Sequence, residues 1–280
     1  MSYKKYLIFI FLLISCVSSN IEAQINQVMS YNIRFNNPAD GINQWDNRKS
    51  EVVDLLRHYE PSIFGLQEAL QNQLDYLDEN LKAFSRIGVG RDDGMEKGEF
   101  SAIYYKHEEW KVLKEETFWL SPTYSKISVG WDASMERICT YGIFENNSSK
   151  QKIMVLNAHY DHIGKIARVE SSKLILKRIA ELNTDDIPLI LMGDFNALPE
   201  QASIKFFMEE FGDASAKAEN DIYGPKGTFS GFHEGSIPHS RIDFIFVKNL
   251  FIKKYTHVDD RMKNGNHLSD HIPVLVEFEF

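Results

Sequence analysis

Apolar runs rich in β-branched and aromatic residues recur along the chain, and polar, turn-forming segments separate them. Runs of this composition are typical of buried β-strands. We predict strands over residues 28–33, 63–67, 100–106, 110–120, 138–144, 152–159, 188–193, 242–247, 252–258 and 273–280.

Two other segments repeat their apolar residues with the period of an α-helix, and they cover residues 47–58 and 164–182. The apolar face of the first consists of Val52, Val53, Leu56 and Tyr59. That of the second consists of Ile166, Val169, Leu176 and Ile179, with Arg168 elsewhere. We expect a shorter helix after Pro199, because its fixed φ suits a first helical turn.

The order of these elements predicts the fold class. Helices separate some of the strands, whereas others follow each other directly through turns such as residues 145–150. This mixture predicts an α/β fold with mixed rather than purely parallel sheets.

The N-terminal residues have the layout of an export signal. Lys4 and Lys5 precede an apolar stretch over residues 7–14, which is too short to span a bilayer, and a small, polar segment follows it. Cleavage after Ala23 predicts a signal peptide over residues 1–23 and a single domain over residues 24–280. The segment that ends in Cys16 also resembles a bacterial lipobox, so a lipid-anchored product is the alternative to a secreted or periplasmic one.

The charge of the chain restricts its partners. The net charge is −9, and there are no runs of Lys and Arg. Such a protein lacks the electrostatic footprint of sequence-independent binding to a polyanion. We therefore expect no strong binding to duplex DNA. We also expect no transmembrane span and a monomer.

Short polar clusters stand at the ends of several predicted strands. They occupy residues 157–162, 193–196, 241–243 and 269–271, and Glu68 closes the apolar run that begins at residue 63. Carboxylates bind hard cations, carboxamides donate hydrogen bonds to phosphoryl oxygens, and an Asp/His pair moves protons. Because so many clusters occur in one domain, we interpret them as a site for metal-assisted phosphoester hydrolysis.

Two clusters indicate acid–base chemistry. Asp194 and Asn196 lie two residues apart at the carboxyl end of a buried strand, which is where open α/β sheets bind ligands. His271 precedes the last strand, and Asp243 opens another strand from which it can fix the tautomer of His271 and raise its basicity.

The predicted ligands favour Mg²⁺ or Mn²⁺ as the cofactor. Glu68 offers a carboxylate and Asn32, at the end of the first strand, a carbonyl oxygen, and hard cations prefer oxygen ligands. The strongest alternative is a zinc site of the metallo-β-lactamase type, whose His-x-His-x-Asp-His motif residues 157–162 match except at Asn157. We do not favour zinc, because a carboxamide is a poor substitute for that nitrogen ligand.

The motifs and their order resemble those of the endonuclease/exonuclease/phosphatase superfamily, in its secreted bacterial branch. The matching segments are Met29-Ser30-Tyr31-Asn32, Leu66-Gln67-Glu68, Asn157-Ala158-His159, Gly193-Asp194-Phe195-Asn196, Arg241-Ile242-Asp243-Phe244 and Ser269-Asp270-His271-Ile272-Pro273. The resemblance covers essentially the whole chain after residue 23. It implies a four-layer α/β/β/α sandwich, in which helices flank two packed mixed β-sheets.

The resemblance also implies roles for the site residues. The metal ligands would be Asn32, Glu68 and Asp270. The catalytic residues would be His159, Asp194, Asn196, Asp243 and His271. Of these, Asp194 would orient or deprotonate the attacking water, His159 and Asn196 would contact phosphoryl oxygens, and His271, supported by Asp243, would be the second acid–base group.

Other segments that resemble the bacterial branch suggest substrate contacts. From them we expect Arg91, Trp131, Asp132 and Arg137 near the mouth of the site, and Asn157 is a further substrate-binding candidate. For the residues at the mouth, loop packing or a structural ion pair is an equally simple explanation.

The sequence therefore favours an exported phosphohydrolase, first of all a phosphodiesterase. Its phosphoester substrate is left open among a small molecule, a glycan, a lipid headgroup and a single-stranded nucleic acid. The alternatives are an extracellular nuclease on DNA or RNA and, from another class, a catalytically silent binding module on the same fold. The silent module is disfavoured because every expected ligand position is filled.

Overall fold

The computed structural model describes residues 25–220, 222–233, 235 and 237–280 of the chain. The predicted signal peptide over residues 1–23, with the lipobox at Cys16, lies outside the described residues. In the described part of the chain, no helix combines the length and the apolar character that a membrane crossing requires.

The strands are β1 Asn26–Asn32, β2 Ile63–Ala69, β3 Phe84–Ile87, β4 Phe100–Lys106, β5 Trp110–Trp119, β6 Ile138–Asn146, β7 Lys152–His159, β8 Leu189–Asp194, β9 Gly212–Asp213, β10 Asp243–Lys248, β11 Phe251–His257 and β12 Val274–Glu279. The helices are α1 Trp45–Tyr59, α2 Gln71–Asn80, α3 Lys165–Leu182, α4 Ala202–Glu210 and α5 Ala214–Lys217, and a 3-10 segment spans Pro38–Asn43.

The strands form two six-stranded sheets. The order is β11-β12-β1-β2-β4-β3 in the first sheet and β5-β6-β7-β8-β10-β9 in the second. The central pair of each sheet, β1–β2 or β7–β8, runs parallel, and the other pairs are antiparallel. Both sheets are therefore mixed, as predicted.

Apolar clusters hold the layers together. Between the sheets, Val28 and Ile63 of the first sheet pack with residues of the second such as Val155. Helices α1 and α2 cover the outer face of the first sheet, and α3 and α4 cover that of the second. Strands buried on both faces account for the continuous apolar runs in the sequence. The predicted four-layer α/β/β/α sandwich is confirmed.

Every predicted strand is present, but five described elements were not predicted: strands β3 and β9, helices α2 and α5, and the 3-10 segment Pro38–Asn43. Strands β3 and β9 lie at sheet edges and have only four and two residues, so their hydrophobic pattern is too short to recognise. Helix α2 buries Gln73, Leu74 and Leu77, which is a narrow apolar stripe for a ten-residue helix.

The prediction of the buried face of α3 was wrong in part. Ile166 is 59% exposed, whereas Ala167, Ser171 and Ile175 are buried, and so is Arg168. Small residues face inward because α3 also packs against α4, where Ser172 Oγ donates a hydrogen bond to the Ser203 carbonyl oxygen at 2.8 Å. Arg168 is buried because it donates to the Asp161 carbonyl oxygen at 2.8 Å.

Candidate active site at the shared edge of the sheets

Three adjacent strands of the second sheet place polar residues in one row. Asp194, the last residue of β8, is in register with His159 at the end of β7 and with Asp243 at the start of β10. The preceding Gly193 has a φ of +150°, and a Cβ there would lie 2.0 Å from the Ala158 carbonyl oxygen. Only glycine fits this close approach, so the turn of the chain into Asp194 depends on it.

The first sheet contributes Asn32 at the end of β1 and Glu68 near the end of β2. The pairing of β2 with β4 shifts between Leu66 and Ala69, and Glu68 within this irregularity has a φ of +64°. Such irregularities redirect a side chain, and positive φ in residues other than glycine is concentrated at functional sites. Asn196 also has a positive φ, of +45°.

The loop before β12 brings Asp270 and His271 to the same edge. The Ser269 hydroxyl donates a hydrogen bond to the Asn32 carbonyl oxygen at 2.7 Å, which ties this loop to the end of β1. The predicted pairing of His271 with Asp243 is present, with Nδ1 2.8 Å from Asp243 Oδ2. His271 Nε2 faces Asp194 Oδ2 at 3.6 Å.

Burial controls the charge of this group. It raises the pKa of Asp194 to about 7, although the nearby His271 opposes the change. Burial alone would lower the pKa of His271, but the Asp243 and Asp194 carboxylates outweigh it and hold that pKa well above its usual range. A buried carboxyl group with a raised pKa beside a buried imidazole with a raised pKa is an arrangement suited to acid–base catalysis.

His159 lies on the other side of Asp194. Its Nε2 is 3.5 Å from Asp194 Oδ2 and 3.2 Å from Asn196 Nδ2. Burial and the Arg137 guanidinium, whose Nη1 lies 3.3 Å from His159 Nδ1, hold the pKa of His159 well below its usual range. His159 is therefore a neutral hydrogen-bonding group.

Glu68, His159, Asp194, Asn196, Asp270 and His271 line a cavity with a volume of about 460 Å³. Its walls include Arg91 and Arg137, as predicted for the mouth, and several residues that the sequence did not single out for the site. These are Arg34, Phe35, Glu99, Met135, His162, Phe229 and Ile242. Their sequence signal is weak, because apart from Ile242 and His162 they lie outside the polar clusters at strand ends.

Arg34 is the most prominent of these unpredicted residues. Its Nη1 lies 3.8 Å from Glu68 Oε2 and 3.7 Å from Asp270 Oδ2. The guanidinium group therefore faces both predicted carboxylate ligands of the metal.

The donors at the edge fit a divalent cation. Single ligand atoms of Glu68, Asp194 and His271 lie within 4.8 Å of one another. Asp270 lies near this group, because Arg34 Nη1 contacts both Asp270 Oδ2 and Glu68 Oε2. Oxygen donors predominate in this set, which suits Mg²⁺ or Mn²⁺. Asp194 and His271, which were predicted as catalytic residues, also lie within reach of a cation held by Glu68.

Asn32 lies between Glu68 and Asp194, and its role as a metal ligand stays a prediction. Its Oδ1 accepts a hydrogen bond from the Arg34 backbone N–H at 3.0 Å, while its Nδ2 donates to Glu68 Oε1 at 3.1 Å and to Asp194 Oδ2 at 3.0 Å. The amide nitrogen, not the carbonyl oxygen, thus faces the carboxylates, and a ligand role for Asn32 would require the amide to rotate by half a turn.

Asn157 does not line the cavity, so its prediction as a substrate-binding residue is corrected. It is fully buried between the sheets and donates to the carbonyl oxygens of Leu66 at 2.9 Å and Ala102 at 2.8 Å. Its oxygen accepts from Gln67 Nε2 at 2.7 Å. A Cβ on Gly65 would lie 2.7 Å from Asn157 Cγ, so glycine there makes room for this contact between the sheets.

Trp131 and Asp132 also lie outside the walls of the cavity. Asp132 accepts hydrogen bonds from the backbone N–H groups of Ile166 at 3.2 Å and Ala167 at 2.6 Å, so it stabilises the first turn of α3. Trp131 is 37% exposed beside it. For Asp132 the structural explanation is therefore the correct one, and a substrate contact by Trp131 gains no support.

Comparison with known proteins places these features in a family context. The sequence profile of the Endonuclease/Exonuclease/phosphatase family matches residues 29–271. A structure described as Bacteroides thetaiotaomicron VPI-5482 mannosyl-6-phosphatase is 37% identical, with a TM-score of 0.88, over 91% of this chain and 100% of that one. An endonuclease/exonuclease/phosphatase family protein from Bacteroides thetaiotaomicron is 36% identical, with a TM-score of 0.87, over 92% and 99% of the two chains.

A more distant relative is a nuclease subunit. The CCR4-Not complex 3'-5'-exoribonuclease subunit Ccr4 of Mycosarcoma maydis is 22% identical over 90% of this chain. The match covers 50% of that relative, so the chain spans about half its length.

Proposed function

The chain belongs to the Endonuclease/Exonuclease/phosphatase family, and on this premise we propose that it is an exported, divalent-metal-dependent hydrolase of a small phosphorylated sugar. The observation that carries the proposal is the convergence of His159, Asp194 and His271 at the wall of a single cavity. Asp243 lies in one row with His159 and Asp194 and contacts His271 Nδ1. Family members act on phosphoesters, and this arrangement supplies the groups that such a reaction needs.

The bound cation, Mg²⁺ or Mn²⁺, would polarise the phosphoryl group and neutralise its developing charge. Glu68 and Asp270, with Asp194 and His271 close by, are the residues that would hold it. The remaining chemistry belongs to side chains that the protein already positions.

Asp194 is suited to orient a water molecule and accept its proton. The side chain is fixed by hydrogen bonds from Asn32 Nδ2 and from the Asn196 backbone N–H, at 3.0 and 2.9 Å. Its raised pKa of about 7 makes the carboxylate a stronger base than an ordinary aspartate. His159 and Asn196, which adjoin Asp194, would donate hydrogen bonds to the phosphoryl oxygens.

His271 is suited to be the complementary acid. Asp243 fixes the orientation of its ring through Nδ1, so that Nε2 faces Asp194 and the cavity. A protonated His271 can donate its Nε2 proton to the leaving-group oxygen as the phosphoester bond breaks.

The cavity and the relatives together support a small monoester substrate. Three arginines, Arg34, Arg91 and Arg137, line a volume of about 460 Å³, which suits a dianionic phosphate on a small molecule. The 37%-identical relative is described as a mannosyl-6-phosphatase, which supports a sugar phosphate as the first class to test. The second candidate is the phosphodiesterase or nuclease that the sequence favoured, and the exoribonuclease relative supports it.

A substrate panel tests the proposal. Hexose 6-phosphates, p-nitrophenyl phosphate, bis-(p-nitrophenyl) phosphate, a dinucleotide and single-stranded RNA are compared with Mg²⁺, Mn²⁺ or EDTA. We expect kcat/KM to be about tenfold or more higher for a hexose phosphate than for either diester, and we expect EDTA to abolish turnover until a cation is restored.

The other outcomes separate the alternatives. Preferential cleavage of the diesters or RNA would establish the second candidate instead. Turnover that survives EDTA contradicts the role of the cation, and no turnover of any substrate supports the silent binding module.

Export is tested independently of activity. Mass spectrometry of the protein recovered outside the cytoplasm should show an N-terminus at Gln24, whereas an acylated Cys16 would establish the lipoprotein alternative. A protein that stays in the cytoplasm with its N-terminus intact contradicts export.

A further inference from the structure

We propose that Arg34 is a built-in counter-cation of the metal centre, which lowers the affinity of Glu68 and Asp270 for a divalent cation and limits the centre to one ion. This inference rests on the proposed function, because it concerns the cation assigned there.

The position of Arg34 is fixed on the side away from the carboxylates. Its Nε and Nη2 donate hydrogen bonds to the two oxygens of Asp40, both at 3.0 Å, and its guanidinium carbon lies 4.5 Å from the centre of the Phe35 ring. A bidentate pair of this kind holds the plane of the guanidinium group. Asp40 is itself held by Asn37 Nδ2 at 3.0 Å.

The remaining nitrogen therefore faces the metal-ligand carboxylates from a fixed direction. The separations of 3.8 Å to Glu68 Oε2 and 3.7 Å to Asp270 Oδ2 are too long for hydrogen bonds but within the range of ion pairs. The contact is electrostatic, so Arg34 occupies no lone pair of either oxygen. Glu68 Oε2 accepts one hydrogen bond, from the Phe35 backbone N–H at 3.1 Å, and keeps its second lone pair for a metal ion.

Charge balance gives the expected consequence. Arg34 offsets one of the two negative charges of Glu68 and Asp270, so this pair attracts a first divalent cation less strongly, and opposes a second more strongly, than it would without Arg34. A cation bound to these oxygens at about 2.1 Å also lies within a few ångströms of Arg34 and is repelled by it. Removing the charge of Arg34 should therefore strengthen metal binding.

The test is a titration of the purified protein with Mn²⁺, followed by calorimetry and by electron paramagnetic resonance of free Mn²⁺. We expect Arg34→Met to bind Mn²⁺ about tenfold more tightly or to take up a second ion, and Arg34→Lys, which keeps the charge, to stay within about threefold of the unsubstituted protein.

Arg86→Met is the matched control. Arg86 pairs with Asp78 at 3.0 Å and its guanidinium carbon lies 5.6 Å from the Phe100 ring centre, but it does not line the cavity. Its replacement removes an ion pair and a ring contact of the same kind, and Mn²⁺ binding should not change.

A second variant guards against loss of folding. Arg34→Met leaves Asp40 without its arginine partner, so the double variant Arg34→Met/Asp40→Asn removes both charges. In Arg34→Met and in the double variant, saturating Mn²⁺ should raise the melting temperature more than it does in the unsubstituted protein, because tighter binding stabilises the folded state more.

Two failures can be distinguished. The inference is overturned if Arg34→Met and Arg34→Met/Asp40→Asn both bind Mn²⁺ no more tightly than the unsubstituted protein, which itself binds normally. The proposed function then still stands. If the unsubstituted protein and all variants fail to bind Mn²⁺, the proposed metal dependence fails, and the inference fails with it.

Discussion

Two buried polar clusters lie close together in this fold but use their polar groups differently. The bridge cluster (Ser30, Gln67 and Asn157) lies between the sheets, where the Asn157 amide uses both of its hydrogens and its oxygen. The edge cluster (Asp194, Asp243 and His271) is equally buried, but Asp194 and His271 border the cavity and carry strongly shifted pKa values.

The comparison is sharpest on β7. Asn157 and His159 lie two residues apart on this strand, so their side chains project from the same face of the sheet. Asn157 contacts backbone carbonyls of the first sheet, whereas His159 reaches the cavity and Asp194. Neutral amides saturated by the backbone stabilise a fold, and incompletely paired ionisable groups at a cavity provide chemistry.

The largest expected effect comes from the edge cluster itself. Asp194→Asn and His271→Ala should each lower kcat by about 10³-fold, because each removes an acid or base that acts on the reacting groups. Steady-state kinetics on the best substrate of the panel measure the effect, and urea unfolding checks stability. Asp78→Asn, outside the cavity, is the control. Near-native turnover in both edge variants would refute the assigned roles.

A smaller loss of activity is expected for the residue that orients His271. Asp243→Asn should lower kcat by about 10²-fold, since an amide in place of Asp243 Oδ2 no longer stabilises a protonated His271. The NMR signal of the His271 ring protons should also shift in Asp243→Asn relative to the unsubstituted protein. A fall in kcat without any change in that signal contradicts the positioning role of Asp243.

The bridge cluster should show the opposite behaviour. Asn157→Leu removes the hydrogen bonds that Asn157 Nδ2 donates to the buried carbonyl oxygens of Leu66 and Ala102. We therefore expect the free energy of unfolding to fall by about 2–3 kcal/mol. Urea unfolding measures this change. At temperatures where the variant is folded, kcat should stay within about threefold of the unsubstituted value. A large rise in KM with unchanged stability would restore Asn157 as a substrate contact.

The smallest effect is expected outside both clusters. Trp131→Ala should change kcat/KM by less than about twofold for a hexose phosphate, because Trp131 does not line the cavity. Arg137→Met, at the cavity wall, provides the comparison and should lower kcat/KM much more. Equal losses in the two variants would place Trp131 in the substrate site after all.

The sequence predicted all the strands except β3 and β9, and most of the candidate site. Buried strands are continuous apolar runs, and the ligand-type residues occur in short motifs at their ends, so both are encoded within a few neighbouring residues. The pairing of Asp243 with His271 was predicted from such motifs and is present at 2.8 Å. The family and the four-layer fold were recognised from the same motifs and are confirmed.

The sequence could not separate site residues from structural ones with the same chemistry. Asn157 contacts Leu66 across 91 positions of the chain. Arg34, near the start of the described sequence, lies beside Asp270, near its end. Asp132, similarly, gave no local sign that it stabilises a helix more than thirty positions away.

The amino-acid pattern alone thus determined which segments become buried strands and which polar residues stand at their ends, because these properties depend on near neighbours. The tertiary structure alone decided which of those residues share the cavity. That choice depends on strand register and on how closely the two sheets pack, and both are set by contacts between residues distant in the chain.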